Sequence, residues 1–245
     1  MTTVLVIGGS DSSGGAGITR DAQTLERLGA RILPVLTAVT AQTDARVCVV
    51  RVMSTRLVHA QMAAALATQP VQAIKTGMLA TRAIVRAVAA ALPPVAPPLV
   101  VDPVLVASSG GSLLDRAGRE ALCRALLPRA TLLTPNIPEA AVLLGTRAAK
   151  TEEQVIRQAE ALLALGPAAV LLKGGHAEGS EAADLLLMRG ASPQWLRAPR
   201  IKATRRGTGC ALASAIAAAL GSGLDLPAAC AQAKEHVVQL LRERS

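Results

Sequence analysis

Short apolar runs rich in Val, Ile and Leu alternate along the chain with longer stretches in which apolar residues recur at helical spacing. Val4 to Ile7 is the first run, and a glycine loop and a helical stretch from Ile18 to Leu28 follow it. The pattern then predicts a strand near Ile32 to Val39, a helix from Leu57 to Ala67, a strand at Val71 to Lys75 and a helix from Ala83 to Leu92. Pro98 to Asp102 reads as a strand that ends in a carboxylate, at the end of the strand where open parallel sheets place their ligands. A helix near Gly118 to Leu127, a strand at Ala130 to Leu133, helices from Glu139 and Glu152, a strand at Ala168 to Lys173 and two closing helices complete the series. Such βα alternation predicts an α/β fold with a mostly parallel sheet between two layers of helices. Pro93 to Pro98 is short and falls between a helix and a strand, so it is a connection within one domain spanning residues 1–245.

Four predicted strand ends carry groups suited to anion or metal chemistry. The first is the loop Gly8-Gly9-Ser10-Asp11-Ser12-Ser13-Gly14-Gly15-Ala16-Gly17, which leads from a strand into a helix. It matches neither G-x-G-x-x-G nor the lysine-bearing phosphate loop. It is either a ligand loop or a plain tight turn, and Asp21 beyond it would by default be a solvated first-turn carboxylate. Thr134-Pro135-Asn136-Ile137-Pro138-Glu139-Ala140 opens a helix with Asn136 and Glu139 three residues apart. This pair suits either hydrated Mg²⁺ against nucleotide phosphates or a helix cap. Lys173 ends a strand before Gly174-Gly175-His176, where a cation can meet phosphate while the glycines let backbone approach.

The fourth is Gly207-Thr208-Gly209-Cys210, which runs into the small-residue stretch Ala211 to Leu220. The free N–H groups and dipole of that helix start make an anion cradle. The same field, with Arg205 and Arg206 adjacent in sequence, is expected to lower the pKa of Cys210 and fit it for a base role; a small buried cysteine is the plainer alternative.

Composition narrows the class. Hydrophobic residues make up 51% of the 245, enough for a large core, and Tyr and Phe are absent with Trp195 the single tryptophan, so that core is aliphatic. The formal charge of +9 comes from scattered arginines, and the stacking platforms of single-stranded nucleic-acid binders are missing, so no nucleic-acid partner is expected. Cys48, Cys123, Cys210 and Cys230 lie far apart with no C-x-x-C pair, which signals neither zinc nor disulfides. No secretory leader or bilayer-spanning run is apparent. A cytoplasmic protein without membrane contact, forming a homodimer, is expected.

Seven ordered motifs covering nearly the whole chain resemble the hydroxymethylpyrimidine and phosphomethylpyrimidine kinases of thiamine biosynthesis, in the ribokinase-like superfamily. They are Gly9 to Ile18 with Asp21, Thr40-Ala41-Gln42-Thr43, Lys75-Thr76-Gly77-Met78-Leu79, Val101-Asp102-Pro103-Val104, Thr134 to Ala140, Lys173 to His176 and Gly207 to Cys210. The resemblance implies a ribokinase-like three-layer sandwich and an ATP- and Mg²⁺-dependent kinase. Its substrate would be 4-amino-5-hydroxymethyl-2-methylpyrimidine and then the monophosphate, with pyridoxal or a related vitamin, or ligand sensing without transfer, as alternatives. It implies that Gly9, Asp21, Gln42, Met78 and Val104 line the pyrimidine pocket, and that Asn136 and Glu139 position Mg²⁺. Lys173, Thr208 and Gly209 would meet the nucleotide phosphates, and Gly207, Gly209, Lys173 and Cys210 would carry transfer. Three departures stand out: Arg206 where these kinases usually have His, Ser108 where Lys or Thr is common, and a chain that stops soon after its last helix.

Overall fold

The computed structural model describes residues 1–107, 111–174, 180–201 and 205–243. Its centre is a nine-stranded sheet built from β1 (Thr3–Asp11), β2 (Arg31–Gln42), β3 (Val47–Val52), β4 (Ala73–Thr76), β5 (Leu99–Val101), β6 (Leu132–Leu133), β7 (Ala169–Lys173), β8 (Glu181–Met188) and β9 (Gln194–Pro199). The spatial order is β3-β2-β1-β4-β5-β6-β7-β8-β9. The six strands from β2 to β7 pair in parallel, while β3 at one edge and β8 and β9 at the other are antiparallel. The direction of winding reverses at β1, which sits between β2 and β4, and that switch point opens a crevice beyond the strand ends.

The central strands are buried on both faces, and their residues alternate between two cores. Val4 and Val6 join Ala73, Val100, Leu132 and Leu171 under one helical layer, made of α1 (Gly17–Arg27), α7 (Thr208–Gly221) and α8 (Leu226–Arg242). Leu5 and Ile7 join Ile74, Leu99, Val101, Leu133 and Val170 under the other. That second layer holds α2 (Thr55–Thr68), α3 (Arg82–Ala91), α4 (Arg116–Ala121), α5 (Ile137–Leu144) and α6 (Glu152–Leu163). Helix α7 is buried along its length and almost wholly built of small residues, so its axis lies close against the sheet; a Cβ on its Gly221 would come within 2.7 Å of Thr2 Cγ2.

The structure corrects the expected elements at several points. β3, β8 and β9 were not expected: β3 is solvent-facing over most of its length, and β8 mixes exposed and buried positions, so neither shows clean alternation. The expected helix over 118–127 is α4 followed by a π-helical turn, Leu122–Leu126, and a 3₁₀ turn, Leu127–Arg129, where Pro128 prevents regular continuation. β2 runs on to Gln42, which carries that residue to the mouth of the crevice. Ser108, Gly175 and His176 lie outside the described residues.

Candidate active site

Beyond the C-terminal ends of the parallel strands lies a cleft of about 1150 Å³, and all twelve residues singled out by the sequence line it. They fall into two groups, one around the ends of β1, β2 and β4 and one around β5, β7 and the start of α7.

In the first group Gly9 and Met78 touch. A Cβ on Gly9 would sit 2.8 Å from Met78 Sδ, so a larger residue there would displace the thioether. Met78 packs with Ala38 and Ala80 beside the partly buried Val104, forming an apolar wall. Gln42 is fixed at its backbone by Ser12, whose hydroxyl donates to the Gln42 carbonyl at 3.0 Å and accepts from its N–H at 2.8 Å. Thr40 Oγ1 donates to Gln42 Oε1 at 3.4 Å, and the side-chain amide nitrogen donates to no described residue.

Asp21 is not the solvated carboxylate of the simpler expectation. It is fully buried, with Lys75 Nζ donating to its two oxygens at 2.9 and 3.0 Å and Ser214 Oγ donating to Oδ1 at 2.7 Å. Burial alone would lower the Lys75 ammonium, but Asp21, Cys210 and Asp102 outweigh it and hold it above the usual lysine range. The pair ties α1, β4 and α7 together directly beneath the cleft. Lys75 is a site residue that the pattern of apolar runs concealed; the signal was a charge within a short strand, Ala73–Thr76, all of which is buried.

In the second group Lys173 Nζ lies 3.1 Å from Asp102 Oδ1, and Thr134 Oγ1 donates to the same oxygen at 3.4 Å. A Cβ on Gly209 would be 3.3 Å from that ammonium and 3.9 Å from Asp102 Oδ2, so the first turn of α7 presses its backbone against the ion pair. Burial opposes the Lys173 charge, and Asp102 and Glu139 together raise its pKa above the ordinary value. Gly174 N donates to Asp184 Oδ1 at 2.9 Å, and Lys234 Nζ of α8 holds Asp184 Oδ2 at 2.6 Å, which anchors the strand exit.

Asn136 and Glu139 form a reciprocal cap on α5. Asn136 Oδ1 accepts from the Glu139 N–H at 2.7 Å and Glu139 Oε2 accepts from the Asn136 N–H at 2.9 Å. Burial raises the Glu139 carboxyl, and Asp102 adds to that against the pull of Lys173.

The turn before α7 is locked by close approach. Gly207 has φ +74°, and a Cβ there would run into the carbonyl of Gly15, so the two glycine loops abut. Arg206 stitches them. It bonds Asp11 Oδ2 and Asp44 Oδ1 at 2.9 Å each and donates to Ser13 Oγ at 2.7 Å, so its charge is already matched by carboxylates.

A sequence profile of the family described as phosphomethylpyrimidine kinase matches residues 11–245. The chain belongs to the phosphomethylpyrimidine kinase family. It is 45% identical over 235 residues to the hydroxymethylpyrimidine/phosphomethylpyrimidine kinase of Streptomyces coelicolor, covering 96% of this chain and 86% of that protein. The crystal structure of phosphomethylpyrimidine kinase from Clostridium difficile 630 superposes with a TM-score of 0.86 at 34% identity, over 99% of this chain and 100% of that one. The pyridoxal kinase of Staphylococcus aureus in complex with AMP-PCP and pyridoxal gives a TM-score of 0.89 at 30% identity, over 99% and 88%. The expected ribokinase-like α/β sandwich is therefore the fold of this family member.

One expectation about this phosphomethylpyrimidine kinase family member is overturned. Cys210 was expected to be a depressed thiol, but it is pushed up to about 11. Although the residue keeps some exposure, packing around its sulfur disfavours the thiolate, and Asp21 and Asp102 repel it, while Lys75 offsets only part of this. Arg205 and Arg206 do not supply the expected field: Arg206 is spent on Asp11 and Asp44, and Arg205 donates to the Leu240 carbonyl at 2.8 Å. Iodoacetamide should consequently label Cys210 more slowly than exposed Cys48 near neutral pH, with a rate still climbing at about pH 10. Peptide mapping by mass spectrometry across pH reads this, and a rate plateau below about pH 8 would contradict it.

Proposed function

We propose that this chain, as a single kinase domain over residues 1–245, uses ATP to phosphorylate the hydroxymethyl group of 4-amino-5-hydroxymethyl-2-methylpyrimidine and then the resulting monophosphate, serving thiamine biosynthesis. One observation carries the reading: the apolar wall of Met78 and Val104 with the free amide donor of Gln42 shares a single cleft with Lys173 and the start of α7. The relative in Streptomyces coelicolor, named for both phosphorylations, supports it.

In this reading Gly9, Met78 and Val104 sandwich the flat ring, Gln42 reads its polar edge, and Asp21 holds the floor through Lys75. Lys173, released from Asp102 by a competing anion, neutralises nucleotide phosphate together with the N–H groups of Thr208 and Gly209, while Gly207 sets the turn. The substrate hydroxyl oxygen bonds to the transferred phosphorus as the bond to the departing nucleotide breaks. In a loose phosphoryl-transfer transition state the attacking hydroxyl keeps its proton until late and then passes it to an oxygen of the transferred phosphoryl group, which releases it to solvent, so charge stabilisation carries the step. A protonated Cys210 does not need to act as a preformed base. Replacing Gln42 with Leu should weaken pyrimidine binding by about 1–3 kcal/mol and spare the nucleotide, since it leaves the polar edge of the bound ring without its partner. Calorimetry with each ligand measures both, and equal loss for the two would exclude the assignment.

Mg²⁺ fits the residues present. Asp102 and Glu139 are hard oxygen donors set around the Lys173 ammonium; burial, with Asp102 adding to it, raises the Glu139 carboxyl, and a cation relieves that cost. Asn136 and Glu139 would hold the hydrated ion, which supplies charge neutralisation of the phosphates. The hairpin of β2 and β3 leaves Val39, Val49 and Val50 exposed, and we assign it to a homodimer. Sedimentation should show a dimer that Val49→Asp dissociates; a monomeric parent would end that assignment. No helix among the described residues is long and apolar enough to cross a membrane, the four cysteines are free, and the cytoplasm is the setting we infer.

The test is turnover of pure protein with ATP and the pyrimidine, its monophosphate or pyridoxal, with and without EDTA. Both pyrimidines should be phosphorylated with kcat/KM at least about tenfold above pyridoxal, and EDTA should abolish turnover. The likeness to pyridoxal kinases makes pyridoxal the informative competitor, and its preference would overturn the reading.

A further inference from the structure

Arg20 and Arg205 line the main cleft and also a second, open pocket of about 350 Å³, whose other walls are the exposed side chains of Gln23, Glu26 and Arg27. Residues 20, 23 and 27 are one stripe of α1, and Arg205 closes the space from the segment just before the turn at Gly207. Every wall residue is polar, and three are guanidinium groups.

Those charges are only partly compensated by the protein: Glu243, whose carboxyl both Arg27 and Arg205 hold below its usual range, is the one partner carboxylate beside them among the described residues. Arg27 is paired with Glu243 at 2.6 Å. Arg205 bonds a carbonyl and no carboxylate among the described residues. Arg20 is only 8% exposed, yet its one hydrogen bond is a long one, Nε to the Gly15 carbonyl at 3.4 Å, and its two terminal amino groups donate to no described residue. Glu26 is the single carboxylate in the lining and makes no ion pair among the described residues. Burial first, then Arg205 and more weakly Arg27, lower the Arg20 pKa against the pull of Cys210, so Arg20 feels both neighbouring cations. A largely buried arginine whose terminal amino groups open on the pocket, beside two other guanidinium groups, is an arrangement that takes a multivalent oxyanion, because the planar fork of Arg matches phosphate oxygens in pairs.

We propose that the cavity between Arg20, Arg27 and Arg205 is a second anion site, separate from the transfer site, for a phosphate dianion or the phosphoryl group of a small molecule. Arg20 connects it to the transfer turn: its Cγ lies 3.0 Å from where a Cβ on Gly207 would stand. The inference is independent of which vitamin precursor occupies the main cleft.

The probe is inorganic phosphate, titrated into the full chain at constant ionic strength and followed by ³¹P line width and thermal unfolding, against chloride as control. Binding should be saturable, persist in Lys173→Met, and weaken about tenfold in both Arg205→Gln and Arg27→Gln, each of which loses a charge-assisted bond. Arg27→Gln alters an exposed side chain and keeps the test valid if Arg205→Gln does not fold. Methyl phosphate binding as well as phosphate would assign the site to an esterified phosphoryl group, and weaker binding to the free ion. Loss of binding in Lys173→Met with retention in the arginine variants, an equal effect of chloride, or no saturation would each overturn the proposal.

Discussion

Lys75→Met should destabilise the protein by about 3–5 kcal/mol, the largest stability effect expected from a single substitution in the cleft. Lys75 is 1% exposed and donates to both oxygens of Asp21, so its loss strands a carboxylate in the core with only Ser214 as donor. Adding Asp21→Asn to Lys75→Met should recover part of the loss, because the stranded charge rather than the missing attraction is the main penalty. The folded lysine is raised above its unfolded value, so its contribution is complete below the unfolded lysine pKa of about 10.4 and declines only as pH rises beyond it. Urea unfolding at neutral pH measures the effect. A loss under about 1 kcal/mol, or a double variant worse than Lys75→Met, would show that the pair is not what holds α1, β4 and α7 together.

Lys173→Met should lower kcat by about 10²–10³-fold, comparable to losing a principal charge-stabilising donor. Lys173 is the cation set against the first turn of α7, 3.1 Å from Asp102, and its ammonium is held protonated by Asp102 and Glu139. Transfer depends on positive charge at the moving phosphate, and Lys173→Arg, which keeps charge with altered geometry, should fall between parent and Met variant. Steady-state kinetics on material shown to be folded by circular dichroism decides this. Turnover by Lys173→Met within about threefold of the parent would move the burden of transfer to the amides of α7 alone.

The sequence made the βα alternation legible because the central strands are buried on both faces and read as unbroken apolar runs. The glycine turns were equally plain: Gly207 has φ +74° and a Cβ there would strike the Gly15 carbonyl, so only glycine fits, while a Cβ on Gly9 would push Met78 aside. Motif order placed twelve residues that line one cleft, because strand ends in a parallel sheet converge by construction.

Other features depended on contacts between residues far apart in the chain. The antiparallel edge strands β3, β8 and β9 owe their place to pairing with neighbours, and their own polar and apolar residues do not announce it. Asp21 and Lys75 are 54 residues apart, and only folding shows that each is the other's buried partner. The same holds for Arg206, whose charge the sequence sets beside Cys210 and the fold gives to Asp11 and Asp44. A helix start predicts a lowered cysteine pKa, but burial and two neighbouring carboxylates win at Cys210. Local sequence therefore determined the elements and the residues at their ends, through periodicity and backbone sterics. Tertiary structure decided the charge state of those ends, because burial and the attraction or repulsion of nearby charges depend on neighbours that the linear chain does not specify.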